Sequence, residues 1–177
     1  LGLVDLLLRT AEARVVALSS TGHKISGIRW DDIHFQAAPY DKWQAYGQSK
    51  TANALFANAL SRRLKRSGGH AFAVHPGGIM TGLQQHLTHD EMNAMGWFKP
   101  DGTPLDLFKS PAQGAATSVW AATAPELAGN GGRYLEDCRI GVPAPPTDRV
   151  QGYSPHIADP ALAERLWTVS EALLAGA

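Results

Sequence analysis

Residues 41–78 read DKWQAYGQSKTANALFANALSRRLKRSGGHAFAVHPGG, and this stretch decides the fold. Ala45, Ala52, Leu55, Phe56, Ala59, Leu60 and Leu64 recur at steps of three and four, the period of a helix with one apolar face. Ser67-Gly68-Gly69 ends that pattern, as glycines just past a helix do. HAFAVH (His70–His75) follows, a short apolar run stopped by Pro76-Gly77-Gly78, which predicts a buried strand. Upstream, RVVAL (Arg14–Leu18) is a second β-branched run that breaks into Ser19-Ser20-Thr21-Gly22. The order strand, loop, helix, strand is the unit of a parallel sheet covered by helices.

Further out the signals are weaker. Residues 1–12 read as the end of an amphipathic helix, with Leu3, Leu6, Leu7 and Leu8 and no cap before them. Residues 22–42 are polar and mixed, an excursion rather than a linker. Residues 79–110 loosen around Leu83, Leu87, Met92, Met95, Trp97 and Phe98, then turn at Pro100-Asp101-Gly102. PAQGAATSVWAATA (111–124) predicts a small-residue helix with Pro111 in its first turn. Arg133-Tyr134-Leu135 predicts a third strand, and the prolines at 143, 145, 146 and 155 make 139–157 irregular. Pro160 opens a last helix to about Leu174, with Leu162, Leu166, Val169 and Leu173 on its apolar face.

Composition narrows the function. The 177 residues carry 16 Lys+Arg against 16 Asp+Glu, so the charge balances and the basic footprint of a nucleic-acid binder is missing. A hydrophobic share of 44% suits one packed domain. The lone Cys138 excludes an internal disulfide and any multi-cysteine metal site. No apolar run approaches the ~18–20 residues that span a bilayer, and the opening LGLVDLLLRT lacks the marks of a signal peptide, so a cytoplasmic protein is expected. Because the chain opens within a helical pattern with no cap before it, a fragment, or a chain whose first part is absent, is expected.

The chemistry gathers around Tyr46 and Lys50, four apart on one helix face. A phenol with a pKa of roughly 10 is a poor proton carrier at neutral pH, and an ammonium one turn away favours its ionised form. Ser20 follows the first strand, where open parallel sheets place ligands, and its hydroxyl can polarise a carbonyl oxygen. Ser19 competes for that role, and either could be an ordinary turn serine. After the second strand, Pro76-Gly77-Gly78 lets backbone approach a flat ligand, with Ile79 and the Thr81 hydroxyl beyond. The run from Leu83 to Phe98 reads either as a mobile apolar lid or as plain core packing. His86, His89, Asp90 and Glu91 read as a solvated segment rather than a metal site. His75 reads as a strand-end histidine with a backbone partner, and Cys138 as structural.

RVVALSS, YGQSK and HPGGIMT together resemble the short-chain dehydrogenase/reductase family, and LSRRLKRSG (Leu60–Gly68) is similar to its retinol-dehydrogenase-like members. The resemblance runs from about Leu1 through Tyr134 and implies a Rossmann-type doubly wound α/β fold. The whole of 1–177 would be the later part of one NAD(P)-binding domain, with a substrate lid over about 82–110. It implies Tyr46 as general acid/base, Lys50 as the residue that lowers the tyrosine pKa and holds the nicotinamide ribose, and Ser20 as the group orienting the carbonyl. Pro76, Gly77, Gly78, Ile79 and Thr81 would hold the nicotinamide end of NAD or NADP, and Leu83, Leu87, Met92, Met95 and Trp97 an apolar alcohol, aldehyde or ketone. The family's glycine-rich phosphate loop, its NNAG-like strand end and its catalytic asparagine have no match, so the choice between NAD and NADP is not written in these residues. A homodimer through the helix at 41–65 is a further implication. The alternatives are an epimerase or dehydratase acting on nucleotide sugars, and a non-catalytic Rossmann-like binding protein.

Overall fold

The computed structural model describes residues 2–145 and 147–176. Strands β1 (Arg14–Leu18), β2 (His70–His75), β3 (Tyr134–Glu136) and β4 (Arg139–Ile140) form one sheet in that order. The first three run parallel, with Val16 opposite Phe72 and Val74 opposite Leu135. β4 is antiparallel to β3 through a tight turn in which Asp137 and Cys138 take left-handed φ angles of 48° and 50°. Two left-handed residues are what such a hairpin demands, and glycine or asparagine usually supplies them.

Helices α1 (Val4–Arg9), α2 (Lys42–Leu64), α3 (His89–Ala94), α4 (Pro111–Thr123) and α5 (Pro160–Ala175) complete the frame. Their starts are written in capping residues. Asp41 accepts from the Gln44 amide, Ser110 precedes Pro111, and Asp159 precedes Pro160. Thr88 and Glu91 form a capping box for α3, a T-x-x-E signal present in the sequence that the reading of 79–110 left unused.

The sheet is buried on both faces, as parallel sheets are. Ala71 and Ala73 of β2 join Tyr134 against Ala54, Leu55, Leu60 and Leu64 of α2 and Ala163 and Trp167 of α5. Phe72, Val74 and Leu135 turn the other way, against Ala121, Ala124 and Leu127. Helices on both sides of a largely parallel sheet make the doubly wound α/β class that the sequence predicts.

The face of α5 holds Leu162 and Leu166 against the core as expected, and departs from expectation at its far end. It centres on Ala163 and Trp167, while Leu173 is 47% exposed. Trp167 stacks flat on Phe56 with ring centroids 5.9 Å apart, and the Arg63 guanidinium covers it at 3.9 Å. The one large ring that finds a flat partner on α2 sets the rotation of α5, and the outer leucines lose that competition. None of the described helices is long and apolar enough to cross a membrane.

Candidate active site

The carboxyl ends of β1 and β2 and the adjoining face of α2 meet at one place. β1 ends at Leu18. The Ser19 amide then donates to the Val74 carbonyl at 2.8 Å, and its hydroxyl to the Lys50 carbonyl at 2.8 Å. Ser19 is thereby used up in tying strand to helix, which leaves the site to Ser20. Ser20 caps a 3-10 turn over Thr21–Lys24, and its Oγ accepts the Gly22 amide at 3.1 Å. That bond occupies a lone pair and leaves the hydroxyl proton free to donate.

Glycines bring this turn onto α2. A Cβ built on Gly47 would lie 2.9 Å from both the Gly22 carbonyl oxygen and the Ser26 amide nitrogen, so only glycine lets turn and helix approach this closely. One turn along, the buried Thr51 hydroxyl reaches the Ser26 carbonyl at 2.7 Å. The Tyr46 ring lies directly over Gly22. A Cβ there would stand 2.5 Å from Tyr46 Cε1 and 3.5 Å from Ser20 Oγ. The tyrosine ring edge and the serine hydroxyl therefore both lie close against Gly22.

Lys50 Nζ lies 5.3 Å from the Tyr46 ring centroid. Its recorded hydrogen bond is a long one, 3.4 Å to the Leu18 carbonyl, which also accepts from Asn53 Nδ2 at 2.8 Å. Partial burial lowers the Lys50 pKa from its ordinary value. Asn53 is a supporting residue that the sequence reading missed; its place one turn beyond Lys50 was the available signal.

Beyond β2, Gly77 takes φ = +94° and lies against the Lys109 stem, where a Cβ would stand 2.7 Å from Cδ and 2.8 Å from Cε. Lys109 braces the loop twice, through its amide to the Gly78 carbonyl at 2.8 Å and through its ammonium paired with Asp137. Ile79 bridges Lys109 in parallel fashion and packs onto Gly114 of α4. Thr81 Oγ1 accepts the Leu83 amide at 3.2 Å and caps the turn at Gly82–His86. Pro76, Gly77, Gly78, Ile79 and Thr81 thus form one pinned loop beside the serine turn.

His75, at the end of β2, departs from expectation. Its Nδ1 is buried with no hydrogen-bond partner among the described residues. Burial, with the Lys109 charge nearby, pushes its pKa down to about 4.

The segment 82–110 forms a layer of its own. Trp97 meets Phe108 edge-on at 5.7 Å, and His89 meets Phe98 at 4.9 Å. Leu87, Met92 and Trp97 are half-buried, Met95 is exposed, and Leu83 is 68% exposed. Among the described residues no hydrogen bond, ion pair or aromatic contact joins this segment to Ser20, Tyr46 or Lys50. Its ties to the site are the Lys109 amide on the Gly78 carbonyl, the Gln84 side-chain amide donating to the Ile79 carbonyl at 2.9 Å, and the ion pair of Glu91 with Lys42, one helical turn before Tyr46.

No family model matches the chain. Over 169 residues it is 41% identical to a protein of Streptomyces lividans named "Probable oxidoreductase", covering 94% of this chain and 57% of that protein. It is 38% identical over 164 residues to short-chain dehydrogenase/reductase prx1 of Penicillium rubens, covering 92% and 47%. Retinol dehydrogenase 14 of Homo sapiens is 32% identical over 177 residues, covering 97% and 47%. Among solved structures, an uncharacterized protein from Mycobacterium Paratuberculosis superposes with a TM-score of 0.60 at 29% identity, covering 97% of this chain and 53% of that one. The chain spans about half the length of the curated relatives it matches. On these likenesses, and on the parallel strand–turn–helix–strand frame that carries Ser20, Tyr46 and Lys50, the chain belongs to the short-chain dehydrogenase/reductase family, on its retinol-dehydrogenase-like side.

Proposed function

We propose that this protein is an oxidoreductase that moves a hydride between NAD or NADP and the alcohol or carbonyl carbon of an apolar substrate. The observation that carries the reading is that the Tyr46 ring edge and the Ser20 hydroxyl both lie against Gly22, at the carboxyl ends of two parallel strands. A substrate oxygen held between the Ser20 and Tyr46 hydroxyls would accept the free Ser20 proton as a hydrogen bond. Tyr46 would give its phenolic proton to that oxygen during reduction and take one back during oxidation. Lys50, with one long hydrogen bond, has N–H donors to spare for a ribose hydroxyl.

The residues present fit the nicotinamide end of the cofactor. They offer an ammonium, a phenol and a half-buried glycine loop, at the carboxyl ends of parallel strands where such ligands bind. Pro76, Gly77, Gly78, Ile79 and Thr81 would hold that end, and the bound nicotinamide supplies or receives the hydride. Leu83, Leu87, Met92, Met95 and Trp97 would cover an apolar substrate, with Glu91 on Lys42 as the hinge-side anchor.

The test is Tyr46→Phe. Turnover followed by nicotinamide absorbance is expected to vanish while nicotinamide binding, read by fluorescence, persists. Undiminished turnover in Tyr46→Phe overturns the reading. Isomerisation of a nucleotide sugar without net change in the nicotinamide favours the epimerase alternative instead.

A further inference from the structure

His23 is fully buried, and neither the sequence reading nor the proposed chemistry gives it a task. Both of its ring nitrogens are engaged. The Ser154 backbone amide donates to Nε2 at 3.0 Å, so Nε2 carries a lone pair and no proton. The neutral ring then holds its proton on Nδ1, which lies 2.5 Å from the Ser20 carbonyl oxygen. The His23 amide donates to the same oxygen at 3.1 Å. Two donors therefore clamp the Ser20 carbonyl, one from the turn itself and one from a ring anchored 131 positions further along the chain.

The ring has no room to leave. Its edge packs on Tyr134 with centroids 5.1 Å apart and lies 6.1 Å from His156. The His23 carbonyl oxygen lies 3.2 Å from Thr51 Oγ1, whose proton goes to the Ser26 carbonyl, so the residue sits directly against α2. Burial, reinforced by the nearby His156, Lys24 and His75, lowers its pKa to about 4 and keeps it neutral.

We propose that His23, as its Nδ1–H tautomer, is a positioning residue that fixes Ser20 against Tyr46 and couples that geometry to the segment around Ser154. The proposal rests on the reading of Ser20 and Tyr46 as the reacting groups. Rotation of the Ser20 peptide would swing Oγ away from its place against Gly22, and a displacement of about 1 Å costs on the order of a hundredfold in rate.

Two substitutions separate the two hydrogen bonds. In His23→Asn the side-chain amide sits where Nδ1 was and can still donate to the Ser20 carbonyl. In His23→Gln the longer side chain reaches the Nε2 position and can still accept from Ser154, but the Ser20 bond is lost. With NAD(P)H and a panel of apolar aldehydes, His23→Gln is expected to lose about tenfold to a hundredfold in kcat with the cofactor KM unchanged. His23→Asn is expected to restore most of that loss. A readout free of turnover is the Gly22 amide, which donates to Ser20 Oγ. Its hydrogen exchange should quicken more than about tenfold in His23→Gln and stay near the parent rate in His23→Asn.

Equal exchange and equal kcat in His23→Gln and the parent overturn the proposal. Nitrogen NMR of the unsubstituted protein tests it without any variant, since an Nε2–H tautomer or an imidazolium at neutral pH overturns it as well. If the exchange pattern holds while no nicotinamide substrate is turned over, the enzyme reading falls and the clamp on Ser20 stands.

Discussion

Gly22→Ala tests the centre of the site. A Cβ at position 22 would stand 2.5 Å from Tyr46 Cε1 and 2.9 Å from Cδ1. Carbon atoms in contact prefer about 3.5–4.0 Å, so the ring edge must retreat by roughly 1 Å. The backbone does not object, because Gly22 is not among the glycines with positive φ. The Tyr46 ring is half-buried and can swing outward. Loss of the freedom of glycine in the unfolded chain contributes about 0.4–1 kcal/mol in favour of the variant, against a comparable steric cost. Stability should thus change by less than about 1 kcal/mol, while a 1 Å displacement of the proton donor lowers kcat on the order of a hundredfold. Thermal unfolding and nicotinamide absorbance measure the two effects on one preparation. Gly27→Ala is the control, since nothing lies within 4 Å of a Cβ there, and it should leave both unchanged. A Gly22→Ala variant that folds normally and turns over within about twofold of the parent refutes the placement of Tyr46 as the proton donor.

Two further outcomes follow from the packing. Gly47→Ala should gain about 1 kcal/mol of helix propensity, yet its Cβ would meet backbone atoms at 2.9 Å, so a net loss of about 1–3 kcal/mol is expected in chemical denaturation. An equally stable variant would show that turn and helix are not in that contact. His75 concerns pH. Its pKa falls from 6.5 to about 4 in the folded chain, so between those values the unfolded chain takes up a proton that the folded one refuses. Stability therefore decreases as pH drops from 6.5 to about 4, and this contribution stops growing below that. His75→Gln should flatten the stability curve over that window, and curves that run parallel to the parent's would show that His75 is not buried as a neutral ring.

Much of this was legible in the chain itself. The bounds of β1, β2, α2 and α4 follow from period and punctuation, because apolar spacing, Asp41, Ser110-Pro111 and Gly68-Gly69 act within a few residues of where they stand. The order of Ser20, Tyr46, Lys50 and the Pro76–Thr81 loop along strand, helix and strand pointed to one end of the sheet for the same reason. Which serine is free there needed the fold: Ser19 and Ser20 are alike in sequence, and only the Lys50 carbonyl consumes the first. The clamp of His23 between Ser20 and Ser154, the orphaned Nδ1 of His75 and the rotation of α5 onto Phe56 also lay beyond the sequence. Each depends on how segments far apart in the chain pack together. Local propensity fixes the pieces, but which surfaces meet, and which polar atoms are left without partners, is settled only when the packed layers exclude water from between them.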